Sequence, residues 1–341
     1  MSHKVGIVGL GNIAGIYGEV GEAAPYSHAG GLESCKTVHF AAGADHDPKA
    51  LERFRAKWSS TYPDLHYFDT FARMLDQEHP DIIGVCVRGP DHFDVMMQAI
   101  AASPKAIFLE KPPSCSLEQM DVMVAAAKKK NIPITVSYSR HWARHVMELE
   151  KLVKDGLIGQ VRMVLGYVGG NVLSFASHTT DLICQFAGYC PTAVYARGSV
   201  PKEAPEGYLP EPQLDSMVIE FANGIRGVQV GCDTEYGGFY ADVIGTEGMV
   251  RAGIYLPPFG CNRKYEPFDF TKLAKPFTQS VFTVAYDQIG GHLAGGPPPS
   301  CTNEDFITVH EIGFATIESI LTDRRIELPN VNRTRKFFAN G

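Results

Sequence analysis

The sequence predicts an α/β chain in two parts, a mainly parallel sheet built from βαβ units followed by an α+β domain on an antiparallel or mixed sheet. Three observations carry this. The chain has 341 residues, more than the usual ~100–200 of one domain. Its first third alternates short β-branched runs with helical patterns, the rhythm of parallel βαβ units. After Arg140 that rhythm stops and strands follow one another with little helix between them.

In the first part, strands are expected at 4–9, 37–45, 81–87, 105–110 and 132–138, with helices at 48–58, 91–102 and 117–130. The last helix has a marked start, because Ser116-Leu117-Glu118-Gln119 fits a capping box, and Lys128-Lys129-Lys130 sets positive charge at its C-terminal end. The second part reads as a helix near 143–155, a strand at 161–169 and a helix at 177–186. Strands follow at 194–199, 214–221, 225–232, 241–244 and 249–251. Asn223-Gly224 between two of these is a strong hairpin signal. Near the end, Thr302-Asn303-Glu304-Asp305 can start a helix whose apolar positions Phe306, Val309, Ile312, Ala315, Ile317 and Ile320 follow helical spacing. The expected domains are 1–137 and 138–341.

Composition narrows the function classes. Lys and Arg number 31 against 38 Asp and Glu, a net charge of −7, so no global basic field attracts nucleic acid or anionic lipid. A hydrophobic share of 45% is that of an ordinary globular protein. No apolar run approaches the ~18 residues of a membrane span. The opening residues run into Val5-Gly6-Ile7-Val8 without a charged leader or cleavage site, so a cytoplasmic location is expected. The eight cysteines form no C-x-x-C pair and are read as buried thiols. His28, His46, His92 and His292 lack ligand spacing, so no catalytic metal is expected.

Gly9-Leu10-Gly11-Asn12-Ile13-Ala14 follows the first strand at once and reads G-x-G-x-x-A, the dinucleotide-binding fingerprint in its proper context. Gly9 permits the tight turn, Gly11 lets backbone approach a pyrophosphate, and Ala14 allows close helix packing, with helix N–H groups facing the phosphates. Asp45, ending the second strand, is placed to accept hydrogen bonds from the adenine ribose hydroxyls and to repel a 2′-phosphate, so NAD is preferred to NADP. Alternatively Asp45 caps the following helix, a task Asp47 before Pro48 could also perform. Asp45 stands 36 positions after Gly9, against ~20 in the usual pattern, so about fifteen extra residues are inserted. The stretch 18–31 is read as that insertion.

Further along stand Ala44-Asp45-His46-Asp47-Pro48, Glu110-Lys111-Pro112-Pro113 at the end of a strand, His178-x-x-Asp181 on a helix, Gly245-Thr246-Glu247-Gly248 and the Glu304-Asp305 helix. With the glycine loop, and in this order, these motifs resemble the glucose-fructose oxidoreductase and inositol dehydrogenase (Gfo/Idh/MocA) family. The resemblance implies an N-terminal Rossmann domain, a doubly wound parallel sheet, and a C-terminal domain with a large open sheet. It also implies NAD(P)-dependent oxidation or reduction of a sugar, polyol or related carbonyl.

The residues make chemical sense of this. Hydride transfer from a secondary alcohol needs a base for the hydroxyl proton and positive charge near the developing alkoxide. Lys111, at a strand's C-terminal end and beside Glu110, can supply that charge and contact the cofactor with Glu110; otherwise it is a solvated loop lysine. His178 is the candidate base, and Asp181 on the same helical face could orient it or bind substrate. Where the family often reads Asp-x-Gly-x-His, this chain has Ser174-Phe175-Ala176-Ser177-His178, which counts against inositol-type dehydrogenation and leaves a keto-sugar reductase or a modified nucleotide-sugar substrate open. Arg140 is read either as a substrate ligand or in an interdomain salt bridge, and Tyr236 as a pocket residue. Arg88 and Pro90, after the third predicted strand, fall where a cofactor contact is expected.

Two further readings stand beside the dehydrogenase: a glycosidase that recycles bound NAD, and a cofactor-binding regulator without turnover. A homo-oligomer through the second sheet is expected, because an open sheet needs covering.

Overall fold

Two cores organise the chain in the computed structural model, which describes residues 2–231 and 238–340. The first unit takes in the residues up to Pro113, Gln119–Trp142 and Phe277–Asn303; the second takes in Ser114–Glu118, Ala143–Pro276 and the residues from Glu304 onward. A single cut at 137 therefore does not describe the partition. The change of rhythm marks the crossing to within a few residues, but Phe277–Asn303 returns to the first unit. It does so because Val281, Phe282, Ala285, Tyr286 and Ile289 are buried along one helix there.

The first unit holds six parallel strands, β1 (His3–Val8), β2 (Val38–Ala44), β3 (His66–Phe68), β4 (Ile82–Val85), β5 (Ala106–Leu109) and β6 (Ile134–Val136). Their order is β3-β2-β1-β4-β5-β6, the doubly wound arrangement expected of a Rossmann domain. β4, β5 and β6 are buried at every position, which is why they read as unbroken apolar runs. The helices are α1 (His28–Glu33), α2 (Pro48–Trp58), α3 (Phe71–Glu78), α4 (His92–Ala102), α5 (Leu117–Lys129) and, from far along the chain, α8 (Val281–Leu293). The sequence reading lacks α1, α3, α8 and β3, all short or amid irregular chain except α8.

Register matters more than element count. Val8 pairs with Ala44 on one side and Val85 on the other; Leu109 pairs with Val85 and Val136. The next residue of each strand, Gly9, Asp45, Cys86, Glu110 and Ser137, therefore emerges along one edge of the sheet. That edge includes the switch point between β1 and β4, where open α/β sheets bind ligands.

The second unit holds β7 (Val161–Tyr167), β8 (Gly170–Asn171), β9 (Pro191–Ser199), β10 (Gln213–Phe221), β11 (Arg226–Val230), β12 (Tyr240–Gly245), β13 (Gly248–Gly253), β14 (Phe259–Asn262) and β15 (Ile326–Glu327). Among the described residues they form one sheet in the order β14-β13-β12-β7-β11-β10-β9-β15, with β8 beside β10. Only β7 and β11 pair in parallel there, so the expected mixed sheet is found. Asn223-Gly224 turns the β10–β11 hairpin, with Gly224 at φ +82. The helices of this unit are α6 (Arg144–Lys154), α7 (Ser177–Ala187) and α9 (Glu304–Thr322). α7 lies over β7, β11 and β12, and α9 over β9. Alternate burial along β10 shows that one face of the sheet is covered. The other face exposes Tyr195, Val218, Val230 and Ile244.

Asp47 starts α2: its carboxylate accepts from Lys49 N at 2.9 Å, and Pro48 takes the first helical position. Asp47→Ala should lower unfolding free energy by about 1 kcal/mol, read as a lower urea midpoint at unchanged denaturant slope.

Candidate active site

The glycine loop is tight at one end and open at the other. Gly9 has φ +84, and a Cβ there would lie 2.7 Å from the Cys86 carbonyl carbon and Val87 N, so the β1 and β4 ends touch only because this residue is glycine. A Cβ on Gly11 would meet no described atom within 4 Å. Backbone next to empty space at a switch point suits a pyrophosphate, and the loop passes this test of fit for a dinucleotide. Ala14 is fully buried, while Asn12 is exposed and Ile13 half-buried. The helix expected to run on from the loop is a single wide turn, Asn12–Ile16. The chain then leaves the helical path through the stretch 18–31, and Lys57 Nζ holds this departure by donating to the carbonyls of Ile16 and Gly18.

Asp45 reaches back to this loop. Its Oδ2 accepts from Leu10 N at 2.7 Å and its Oδ1 from Asp47 N at 2.9 Å, while Asp47 alone caps α2. The Asp45 carboxylate thus braces the glycine turn at the strand end where a ribose would be read. Arg88 is exposed, and Pro90 is the second residue of a 3-10 turn, Gly89–Asp91, leading into α4.

Glu110 and Lys111 follow β5. Glu110 is 5% exposed, and its carboxylate accepts from His28 Nε2 at 2.9 Å, from Lys111 N at 3.3 Å and from Ser137. Burial alone would push its pKa up; the His28 hydrogen bond and the positive charge of Lys111 outweigh that, and it lies below the usual carboxylate range. His92 spans the same segment, Nδ1 2.7 Å from the Pro112 carbonyl and Nε2 3.0 Å from that of Val87. Sequence reasoning noted His28 and His92 only for lacking metal spacing. Their partners lie 82 and 20 positions away, so no local pattern announces them.

Arg140 belongs to the first unit, in the 3-10 turn Ser139–Trp142. It is 1% exposed and donates to Ser139 Oγ at 3.0 Å.

In the second unit His178 and Asp181 lie on α7, both buried and three residues apart on one face. The His178 ring meets the Phe239 ring edge-on at 5.9 Å, and Tyr189 donates to Asp181 Oδ1 at 3.4 Å. Tyr236 falls outside the described residues. Ser174 does not stand alone. Glu211 Oε2 accepts from Ser174 Oγ at 2.6 Å, and Oε1 accepts from Leu173 N at 2.6 Å and Ser174 N at 2.8 Å. A carboxylate is therefore present beside position 174, delivered from a loop 37 residues downstream. Sequence reasoning missed it, because Pro210-Glu211-Pro212 gives no hint of its donors.

Burial holds the Glu211 carboxyl above the usual range, against the opposing hydrogen bonds from Ser174, Leu173 and Asn171. A carboxyl whose pKa is higher folded than unfolded binds its proton more tightly in the folded state. Wild-type stability should accordingly fall as pH rises from the ordinary carboxylate range through this elevated value. Glu211→Gln should lack that fall. Urea unfolding of both proteins across this range tests the point, and parallel pH profiles would count against it.

Residues 3–138 match a family model described as an oxidoreductase family with an NAD-binding Rossmann fold. A myo-inositol 2-dehydrogenase of Thermotoga maritima is 23% identical over 357 aligned positions, covering 96% of this chain and 99% of that protein. An oxidoreductase from Agrobacterium radiobacter, solved with NAD+, L-tartaric acid and magnesium, shares the fold at TM-score 0.75 and 17% identity, over 96% of this chain and 98% of that one. A levoglucosan dehydrogenase solved with NADH and levoglucosan does so at TM-score 0.76 and 16% identity, over 97% and 100% of the two chains. Residues 3–138 thus match the NAD-binding Rossmann domain of an oxidoreductase family, and the chain is similar along nearly its whole length to a dehydrogenase.

Proposed function

We propose that the protein is an NAD-dependent dehydrogenase or reductase acting on a secondary hydroxyl or ketone of a sugar, polyol or sugar derivative. The observation that carries this reading is the aligned sheet edge, where the open backbone at Gly11, the Asp45 carboxylate and the Glu110-Lys111 pair emerge from neighbouring parallel strands. Relatives named for inositol and levoglucosan support the substrate class.

NAD, when bound, supplies the acceptor or donor of hydride. Gly9, Gly11, Asn12, Ile13 and Ala14 would hold its pyrophosphate, Asp45 its ribose, and Arg88, Pro90 and Glu110 would border it. Lys111 presents an ammonium against a buried anion, a charge suited to an alkoxide oxygen. His178 holds or releases the hydroxyl proton, an exchange for which imidazole is matched near neutral pH. Asp181, Arg140, Ser174 and Tyr236 are the proposed substrate contacts, with Glu211 fixing Ser174. A cytoplasmic location accords with the absence of any disulfide among the described cysteines and of any described helix long and apolar enough to cross a membrane.

Purified protein incubated with NAD and a panel of cyclic polyols, aldoses and nucleotide sugars, with nicotinamide absorbance followed, tests the activity. Lys111→Met and His178→Asn should each lower kcat/KM by roughly 10²–10⁴-fold on the substrate that turns over. Unchanged rates in either variant would remove that residue from the chemistry. NADH binding without net turnover on any substrate would instead favour self-recycling or regulatory use of the cofactor.

Tyr195, Val218, Val230 and Ile244 stand on one face of the second sheet, since β9, β10, β11, β7 and β12 pair in a register that aligns them. We assign this face to contact with a second copy of the chain. Light scattering should give a multiple of the 37.3 kDa chain mass, and Val218→Lys should reduce it.

A further inference from the structure

We propose that His28, brought to the sheet edge by the inserted stretch 18–31, is a positioning residue for Lys111 that acts through Glu110. The inference rests on the reading of Lys111 given above.

The geometry is a buried chain of three side chains within the first unit. Tyr286 Oη lies 2.8 Å from His28 Nδ1, and His28 Nε2 lies 2.9 Å from Glu110 Oε1. His28 and Tyr286 are wholly buried. The rings of Phe108, Phe282 and Tyr286 close around His28, with centroids 4.9, 4.5 and 5.7 Å from its ring. An ionised carboxylate can only accept, so Nε2 carries the proton that His28 shares with Glu110. Burial keeps the Tyr286 phenol protonated, far above its ordinary range, and its hydroxyl lies within hydrogen-bond distance of His28 Nδ1. The chain then runs Tyr286 to His28 to Glu110, with every hydrogen bond satisfied.

Its output is Lys111. Glu110 Oε2 accepts the Lys111 backbone N–H, and its negative charge interacts with the Lys111 ammonium. The carboxylate is buried, so the direction of that charge is set by its donors. The same insertion reaches a second position on this edge, since the Tyr26 and Ser139 hydroxyls lie 2.8 Å apart and Ser139 in turn takes Arg140 Nη1. An insertion that served only as surface loop would have no reason to bury His28 and set the half-buried Tyr26 against these segments.

The other titratable groups around Glu110 do not replace His28. Cys86, after β4, is kept a neutral thiol by burial and by the Glu110 charge. His92, on α4, is pushed below the ordinary histidine range by burial and bonds backbone carbonyls rather than Glu110. Tyr286, on α8, stays neutral. Ser137, after β6, contributes a hydroxyl. The Glu110 charge thus faces His28 on one side and Lys111 on the other.

The test measures the ionisation of Lys111 directly, by competitive chemical labelling of its ammonium as a function of pH in the full-length protein. Glu110→Gln sets the scale, because removing the anion should shift Lys111 labelling to lower pH. His28→Leu should shift it in the same direction. His28→Gln, which keeps a donor for Glu110, should restore much of the wild-type position, and Tyr286→Phe should give an intermediate result in a protein of unaltered volume. With a turned-over substrate, His28→Leu should also lower kcat/KM by about 10–100-fold, the scale for outer partners of a functional group. The acidic limb of its pH profile should move, and NADH binding should stay as in wild type. Lys111 labelling unchanged in His28→Leu and Tyr286→Phe would overturn the proposal, even if their melting temperatures fall. An unchanged rate in Lys111→Met, by contrast, would defeat the catalytic reading of Lys111 while leaving the labelling result to decide whether His28 controls its charge.

Discussion

Glu110 is a carboxylate taken out of water at the C-terminal end of a fully buried strand, and the arrangement of the first unit answers that fact. Removing such an ion from solvent costs several kcal/mol unless its lone pairs are met by donors. Here the donors come from three separate parts of the chain: His28 on α1, the Lys111 amide, and Ser137 after β6. Meeting them requires the stretch 18–31 to fold inward and α8 to return from beyond residue 276 to place Tyr286 against His28. The aromatic packing of Phe108, Trp142, Phe282 and Tyr286 then excludes water from the pair. Charge and core support each other.

The same edge is shaped by strand register. Parallel strands whose last residues pair across β2, β1, β4, β5 and β6 deliver their following residues to one line, and at the β1–β4 switch the chain departs to opposite sides. Gly9 allows the closest approach there, and Asp45 ties the loop to the end of β2. A site laid on strand ends is stiff, which is what positioning a reactive carbon within a fraction of an ångström demands. The departure from the usual loop comes directly afterward, where Gly15 packs beneath Trp58, whose Nε1 donates to the Gly15 carbonyl, and leaves only one helical turn.

The second unit solves a different problem. A broad sheet with α7 and α9 on one face leaves Tyr195, Val218, Val230 and Ile244 exposed on the other, and its covered face holds polar groups that need partners. Glu211 answers the donors at the start of the α7 segment, capping Leu173 and Ser174 with one oxygen and binding the Ser174 hydroxyl with the other. Gln229 does similar work deeper in, accepting from Thr180 and donating to the carbonyls of Val168 and Ala176. The helix carrying His178 and Asp181 is therefore anchored by buried side chains of β11 and the loop before β10.

What the sequence by itself determined is everything whose cause lies within a few residues. The βαβ rhythm, the glycine turn after β1, the start of α5 at Leu117, the Asn223-Gly224 hairpin and the apolar stripe of α9 were all legible, because backbone sterics and side-chain periodicity act locally. A small-residue loop at the end of a first strand also announced the cofactor class, since the backbone approach it permits is itself a local property. Tertiary structure alone decided the partners of the buried charges. His28 finds Glu110 across 82 positions, Ser174 finds Glu211 across 37, and Phe277–Asn303 returns to the first core after the chain has traversed the second. No pattern along the chain encodes these choices. They follow from which donors and apolar faces are left unsatisfied once the sheets have formed, a quantity defined only in three dimensions.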